Sequence, residues 1–534
     1  MRENVDVLLV RLPLLDEEEF LRESSEYLGF GYLSSGLRKN GFSVKILDFY
    51  LQQCSIEQVI SKILEYNAKI IGFTIVLQDL IDSCKVICSQ LRKNKVQSHI
   101  TCGGHLPTLK YIEILNQINE IDSIVRFEGE VTIVELTQHV VQGKDWTNIK
   151  GIAYRDIDGI PKSNTSRPLI KDLDKLDFAD RDTLSIVIEK GGPAGILSSR
   201  GCYGRCSFCS IYSFYNTAEG NNWRARSPKD VVDEIEYIYK KYKVKYFRFF
   251  DDDFIGPGEI GKKRAYDIAQ LIIDRNLEIN YYIETRVNDV DYKLFQKLKQ
   301  SGLDRVFIGV EAGSEKILEE YNKDITIKQQ KESIEILKCL GIKVIAGFMM
   351  FNPYLTLDKF KENFYFLIKY DLLNFFNLVS FFTVLGGTPM EEKLRQEGLL
   401  IQNDYRKGYN IIDNKVAILY RVLSIGTKPL EKLYIQIKKA NNSFYISKAN
   451  IDIELYDEIN RQLNKYLLEI TESILTFIEK LPNENIFDSE VDKKAEEYYN
   501  ESLNFTESLL FLINIYNTAT NEGGMYENSS RLSV

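Results

Sequence analysis

The sequence has little histidine, no long apolar run and no excess of positive charge, and each shortage removes a class of function. Its 534 residues hold three histidines, His99, His105 and His139, all ahead of residue 140. A net charge of −9 leaves no broad basic face for phosphates, so nucleic acid is a poor partner and a small-molecule or peptide substrate fits better. The longest apolar stretch, Leu372 to Leu385, is broken by Asn374 and Asn377. It falls short of the roughly 20 residues a membrane span needs and reads as buried strand. Met1 to Val10 carries no extended apolar segment and no small-residue cleavage site, which points to a cytoplasmic protein.

Without an export signal, eight cysteines read as thiols or metal ligands, not as a disulfide framework. Cys54, Cys84, Cys88, Cys102 and Cys339 are scattered among apolar residues and are expected to be small core residues. The other three form one motif.

At roughly 100–200 residues per domain, the chain should hold about three cores. Residues 1–146 alternate β-branched runs (Asp6–Arg11, Ser43–Asp48, Lys69–Ile75, His99–Cys102, Ser123–Phe127) with helical patterns, which predicts a doubly wound, Rossmann-like parallel sheet. Ligands of such sheets sit at the carboxyl ends of the strands. A polar connector over 147–195 contains Asp158-Gly159, a hairpin signal. From 196 to 400 a strand–helix unit recurs, with strands near Ile196, Tyr246–Phe250, Asn280–Thr285, Arg305–Val310, Lys343–Met349 and Asn377–Val384. Six such units predict a partial (β/α)6 barrel of TIM type with its site at the strands' carboxyl ends. Residues 401–520 read as a mostly helical domain and 521–534 as a polar tail without fixed structure.

The motif is Cys202-Tyr-Gly-Arg-Cys206-Ser-Phe-Cys209, directly after the first barrel strand. Three thiolates on a glycine-containing loop suit a [4Fe–4S] cube with one iron left open. A structural zinc site wants four ligands, and no histidine lies near enough in sequence to complete one. At the end of the second strand, Phe249-Phe-Asp251-Asp252-Asp253-Phe254 sets three carboxylates side by side, an arrangement that is costly without a cation or hydrogen-bond donors.

These segments resemble the radical S-adenosylmethionine (SAM) superfamily, whose signature is C-x3-C-x-aromatic-C, with Phe208 in the aromatic position. The resemblance implies Cys202, Cys206 and Cys209 as cluster ligands, and SAM chelated by the open iron and reductively cleaved there. It implies SAM contacts from Phe208, from Asp251 and Asp252 to the ammonium, and from Arg286 and Glu311 to the carboxylate or ribose. Glu311 lies in Gly309-Val-Glu-Ala-Gly-Ser314, similar to the family's G-V-E-S-G. Gly347 opens Gly347-Phe-Met-Met-Phe-Asn-Pro353, which departs from the family's G-x-P-x-E-T, with Phe351 and Leu355 at the positions usual for Gly and Glu.

The first domain resembles the cobalamin-binding domain of one radical SAM branch. The matching stretches are Leu28-Gly-Phe-Gly31-Tyr-Leu33, Gly72-Phe-Thr74, Cys102-Gly103-Gly104-His-Leu-Pro-Thr108 and Phe127-Glu128-Gly129-Glu130. They imply Gly31, Thr74, Gly103, Gly104, Glu128, Gly129 and Glu130 as cobalamin contacts. Glycines there let the backbone come close to a bulky ligand. The D-x-H-x-x-G motif is absent after the first strand, which implies base-off, His-off cobalamin. The branch implies methylation of an unactivated carbon, with a flavodoxin- or ferredoxin-type electron donor. Cyclisation, ring contraction or oxidation is the alternative, and a non-catalytic cobalamin or redox sensor the third reading.

Overall fold

A computed structural model describes residues 2–13, 24–52, 54–403, 406–447, 453–482 and 488–529. The chain divides into two compact units, residues 1–310, 315–347 and 383–409 in the first, and 311–314, 348–382 and 410–534 in the second.

The first unit carries both large sheets. In the N-terminal sheet the strands β1 (Glu3–Arg11), β2 (Val44–Asp48), β3 (Tyr66–Thr74), β4 (His99–Gly103) and β5 (Ser123–Val125) are joined by β6 (Ile152–Arg155) and β7 (Pro161–Ser163) in the order β2-β1-β3-β4-β5-β6-β7. The first five run parallel, and β5–β6 and β6–β7 pair antiparallel. Alternate residues go to opposite cores: Leu8, Ile71, Phe73 and Ile100 pack on one face, Val7, Leu9 and Ile70 on the other. A sheet buried on both faces needs near-continuous apolar strands, which is what β1 and β3 supply. The hairpin signalled by Asp158-Gly159 is β6–β7, so the sheet extends into the expected connector.

Cys84, Cys88 and Cys102 are core residues as expected, whereas Cys54 is half-buried and Cys339 is exposed at the last turn of its helix.

The second large sheet takes β8 (Ala194–Ile196), β11 (Tyr246–Phe249), β12 (Asn280–Thr285), β13 (Leu303–Glu311) and β14 (Lys343–Phe348), in the order β14-β13-β12-β11-β8. Between β8 and β11 a short antiparallel pair, β9 (Ser199–Arg200) and β10 (Arg224–Ala225), brackets the cysteine motif. The sequence Ser227-Pro228, a capping residue followed by a residue preset for the first turn, starts the helix Pro228–Tyr242, with the Ser227 hydroxyl accepting from Asp230 N.

The second unit is mainly helical, with Leu357–Lys369, Asn414–Gly426, Lys428–Ser447, Ile453–Lys480 and Asp488–Ser529 as its long helices. The sixth barrel strand, expected at Asn377–Val384, does not form: Phe375–Val379 is a short helix, and only a single bridge, Phe351 to Phe381, remains of the strand pairing. The asparagines explain this. Asn374 Oδ1 accepts Asn377 N, and Asn377 Nδ2 donates to Leu372 O, local bonds that compete with a ladder. The last helix also runs through most of the tail expected to lack structure, because each added residue extends an already nucleated ladder. Residues 530–534 lie outside the described residues.

Candidate functional site

The cysteine loop leaves β9 through Gly201, whose φ of +81° and whose Cβ position, 1.8 Å from Asn222 O, admit only glycine. Cys202, Cys206 and Cys209 are free thiols, Cys206 buried and the others half-buried. Gly204 N donates to Cys202 Sγ at 3.3 Å, and the backbone N–H groups of Ile211 and Tyr212 serve Cys209. Burial pushes the Cys202 thiol up to about 12 and Cys209 to about 11, so both await a cation strong enough to take them as thiolates. Among the described residues, no three His, Cys, Asp or Glu side chains converge on a single ion. A cubane takes each thiolate on a different iron and needs no such convergence. The donor set fits a cluster.

The acidic run is spent mostly on this loop. Asp251 Oδ1 accepts Ser198 N (2.8 Å), Ser199 N and Ser199 Oγ (2.8 Å), and Oδ2 accepts Ser198 Oγ (3.1 Å). Its charge is thus met by four donors, and its carboxylate is a staple on the chain entering the cysteines. Asp252 Oδ2 accepts Gly201 N at 3.0 Å. Burial pushes its pKa to about 7, against the pull of that N–H and helped by Glu284 and Asp251. Asp253, which the sequence reading did not select, is fully buried, and its Oδ2 has no hydrogen-bond partner. Burial and Asp289 push it to about 7 against the nearby Arg286. That oxygen is enclosed by protein, whereas Asp252 is exposed with only Oδ2 engaged, which makes Asp252 the member of the run most accessible to a donor on a ligand.

Arg286 reaches the cysteine loop: Nη1 donates to Cys206 Sγ at 3.7 Å, Nη2 to Lys323 O at 2.7 Å, and the guanidinium lies over the Tyr203 ring. Burial opposes its charge, yet the sulfurs of Cys206 and Cys202 hold its pKa above the usual arginine value. Gly204 makes room for it, since a Cβ there would stand 2.0 Å from Arg286 Nη1. Tyr203 in turn donates to Asp289 at 2.8 Å. Phe208 packs edge-on against Tyr321, 5.4 Å between centroids. Glu311 ends β13 with φ +65°, a strained value for a residue with a side chain. Gly347 lies where a Cβ would be 2.5 Å from the Phe307 ring.

On the N-terminal sheet, register brings Thr74 opposite Gly103 at the carboxyl ends of β3 and β4. Gly104 follows with φ +114°, its Cβ position 3.0 Å from Ile75 O. Val76 and Leu77 stand exposed on the next loop, an apolar ledge beside a glycine step that suits a large, partly apolar macrocycle. The residues here fit cobalamin. Thr74 Oγ1 donates to Tyr27 OH, and Gly129 starts the helix Glu130–Val141 with Val125 and Leu33 against it. Three of the expected contacts are committed elsewhere. Gly31 packs on the connector, its Cβ position 2.7 Å from Asp180 O. Glu128 and Glu130 pair with Arg200, and Glu128 also with Arg224.

The sequence reading missed Arg200, Arg224, Arg264 and Trp223. Arg264 donates to the carbonyls of Ser198, Phe254 and Arg226, and Trp223 to Asp253 O. Arg200 adjoins the cysteine motif, the one available signal. The two domains touch at this end: His105, beside Gly104, meets Phe214 edge-on at 4.4 Å, on the helix Ser210–Asn216 that follows Cys209.

Comparison with known proteins agrees with this layout. Residues 24–137 match the B12 binding domain and 196–367 the radical SAM superfamily. An uncharacterised methyltransferase of Pyrococcus horikoshii is 28% identical over 423 residues, covering 78% of this chain and 87% of the relative. An anaerobic magnesium-protoporphyrin IX monomethyl ester cyclase of Rubrivivax gelatinosus is 32% identical over 331 residues, covering 60% of this chain and 58% of that protein. Among solved structures, the cobalamin-dependent SAM radical enzyme OxsB with aqua-cobalamin bound superposes with a TM-score of 0.72 at 21% identity, over 98% of this chain and 81% of its own. The methyltransferase TsrM of Kitasatospora setae gives 0.60 at 17% identity, over 74% and 75%. Among the described residues no helix is long and apolar enough to cross a membrane. The two domain types call for a [4Fe–4S] cluster with SAM, and for cobalamin. The chain belongs to the radical SAM enzymes whose barrel is preceded by a B12-binding domain.

Proposed function

We propose that this cobalamin-dependent radical SAM enzyme methylates an unactivated carbon of a small-molecule or peptide substrate, taking electrons from a flavodoxin- or ferredoxin-type donor. The observation that carries this reading is the meeting of the two loop sets in one unit: the glycine step after β4 adjoins the helix that leaves the cysteine loop, through His105 and Phe214. The methyltransferase relative that aligns over most of its own length supports it.

When bound, the cluster would supply an electron to SAM, and cobalamin would supply a nucleophilic metal able to carry a methyl group. The chain's own work is placement. Cys202, Cys206 and Cys209 would hold the cluster, Asp252 would offer an acceptor to SAM, and Gly103, Gly104 and Thr74 would admit the corrin. Asp251 and Arg264 fix the loop's entry and Arg286 neutralises sulfur charge beside it. Phe208, next to Cys209, packs edge-on against the buried Tyr321 and helps fix the cysteine loop.

A second reading, cyclisation without methyl transfer, has the cyclase relative in its favour. The two separate on one experiment. Anaerobically reconstituted protein with cobalamin, reductant and SAM is followed for 5′-deoxyadenosine and S-adenosylhomocysteine. Formation of both supports methylation; deoxyadenosine alone supports cyclisation.

A further inference from the structure

Four buried charges join the B12-binding domain to the strand that feeds the cluster loop. Glu128 and Glu130 follow β5, whereas Arg200 and Arg224 are partners across the β9–β10 pair. Arg200 Nη1 donates to Glu128 Oε1 at 3.0 Å and Nη2 to Glu130 Oε1 at 2.6 Å. Arg224 Nη1 donates to both oxygens of Glu128, at 2.9 and 3.0 Å, and to Ile170 O at 2.8 Å. Ile170 N also donates to Glu128 Oε2 at 2.6 Å, while Glu130 Oε2 and Arg224 Nη2 stay buried without a hydrogen-bond partner. The side chains are 4–11% exposed, so the two arginines and two glutamates neutralise one another with little help from water. Arg200 also lies over the Tyr32 ring and Arg224 over the Tyr215 ring.

The placement of the quartet matters more than its strength. Of the residues entering the loop, Ser198, Ser199 and Gly201 are held by Asp251 and Asp252 of the barrel itself. Arg200, two residues before Cys202, is held instead by side chains of the other domain. A buried guanidinium whose two terminal nitrogens bond two different carboxylates is fixed in direction as well as distance, unlike a surface ion pair.

We propose that Glu128 and Glu130 are positioning residues that set the cluster loop at a fixed distance from the cobalamin-side loops. The inference bears on the proposed methyl transfer, because cleavage of SAM to deoxyadenosine needs the cluster loop alone. Transfer of the SAM methyl group as a cation to a nucleophilic metal, with S-adenosylhomocysteine as the leaving group, needs both loops in register.

The test uses the full-length protein loaded with cluster and cobalamin, as wild type and as Glu128→Gln, with Glu128→Asp and Glu130→Gln as milder variants should the first fail to load. With the cluster reduced and cobalamin in its Co(II) state, both centres are paramagnetic, and pulsed EPR reads the distance distribution between them. We expect a narrow distribution in the wild type and a broadened or lengthened one in the variants. The ratio of S-adenosylhomocysteine to deoxyadenosine should fall at least about tenfold, with iron, sulfide and cobalamin content unchanged. An unaltered spin distance in every variant that loads both groups would overturn the proposal. If the wild type forms no S-adenosylhomocysteine, the methylation reading fails, while the spin distances still decide the role of Glu128.

Discussion

Asp251 separates two accounts of the acidic run. If it accepts the ammonium of SAM, its charge is indispensable to SAM binding; if it is a staple on Ser198 and Ser199, its acceptor oxygens matter and its charge much less. Asp251→Ala strands the buried N–H groups of Ser198 and Ser199, at about 1–3 kcal/mol each, so the loop entry loses about 2–6 kcal/mol. Asp251→Asn keeps one oxygen on both N–H groups and can turn its amide toward the Ser198 hydroxyl, which accepts as well as it donates. Only the charge assistance is lost, about 1–2 kcal/mol over the set. The assay is iron and sulfide content together with SAM affinity by equilibrium dialysis. Asp251→Ala should lose most of its cluster. Asp251→Asn should retain it and bind SAM within about threefold of wild type, whereas removing a direct charged contact would weaken SAM roughly 10- to 150-fold. A fully loaded Asp251→Asn protein with SAM affinity down more than about tenfold would refute the staple.

Cys206→Ala should abolish the cluster's broad visible absorbance without unfolding the protein; full iron and sulfide in that variant would exclude Cys206 as a ligand. Gly104→Leu forces a side chain to φ +114° and towards Ile75 O, and should reduce cobalamin retention on gel filtration at least about tenfold while the cluster stays intact. His99, paired with Ser123 Oγ and edge-on to Trp146, has its pKa lowered by burial from 6.5 to about 4. Between those values the unfolded ring binds a proton that the native ring refuses, so stability falls as pH drops through this window, by up to ~3 kcal/mol for this group. His99→Gln should flatten the dependence of Tm on pH between 4 and 6.5, and an unchanged slope would show that His99 does not titrate this way.

The parts of the fold that one segment decides alone were readable in the sequence. The apolar runs of β1 and β3 and the capped helix at Ser227 lie where periodicity and capping chemistry put them. The cysteine motif was readable because three thiols at close spacing have few other uses. Leu372–Leu385 misled because its hydrophobicity suits a strand, while two asparagines inside it redirect the backbone into a short helix. What escaped were pairings that only the folded chain creates. Arg200 and Arg224 become partners through β9 and β10, and then of Glu128 through contact between domains, a relation no local pattern encodes. Three adjacent aspartates looked alike in sequence. The fold gives Asp251 four donors, leaves Asp252 exposed with one, and buries Asp253 with an unpartnered oxygen, differences made by burial and neighbours that no local pattern encodes.

The central claim is that this one chain holds an open-iron cluster and cobalamin together. Its most direct test is the anaerobically reconstituted wild-type protein after gel filtration, assayed for iron, sulfide and cobalamin and examined by EPR with and without SAM. The account predicts about four irons, four sulfides and one cobalamin per chain, and a reduced-cluster signal that changes when SAM is added. Loss of cobalamin on the column, or a cluster signal indifferent to SAM, would contradict it.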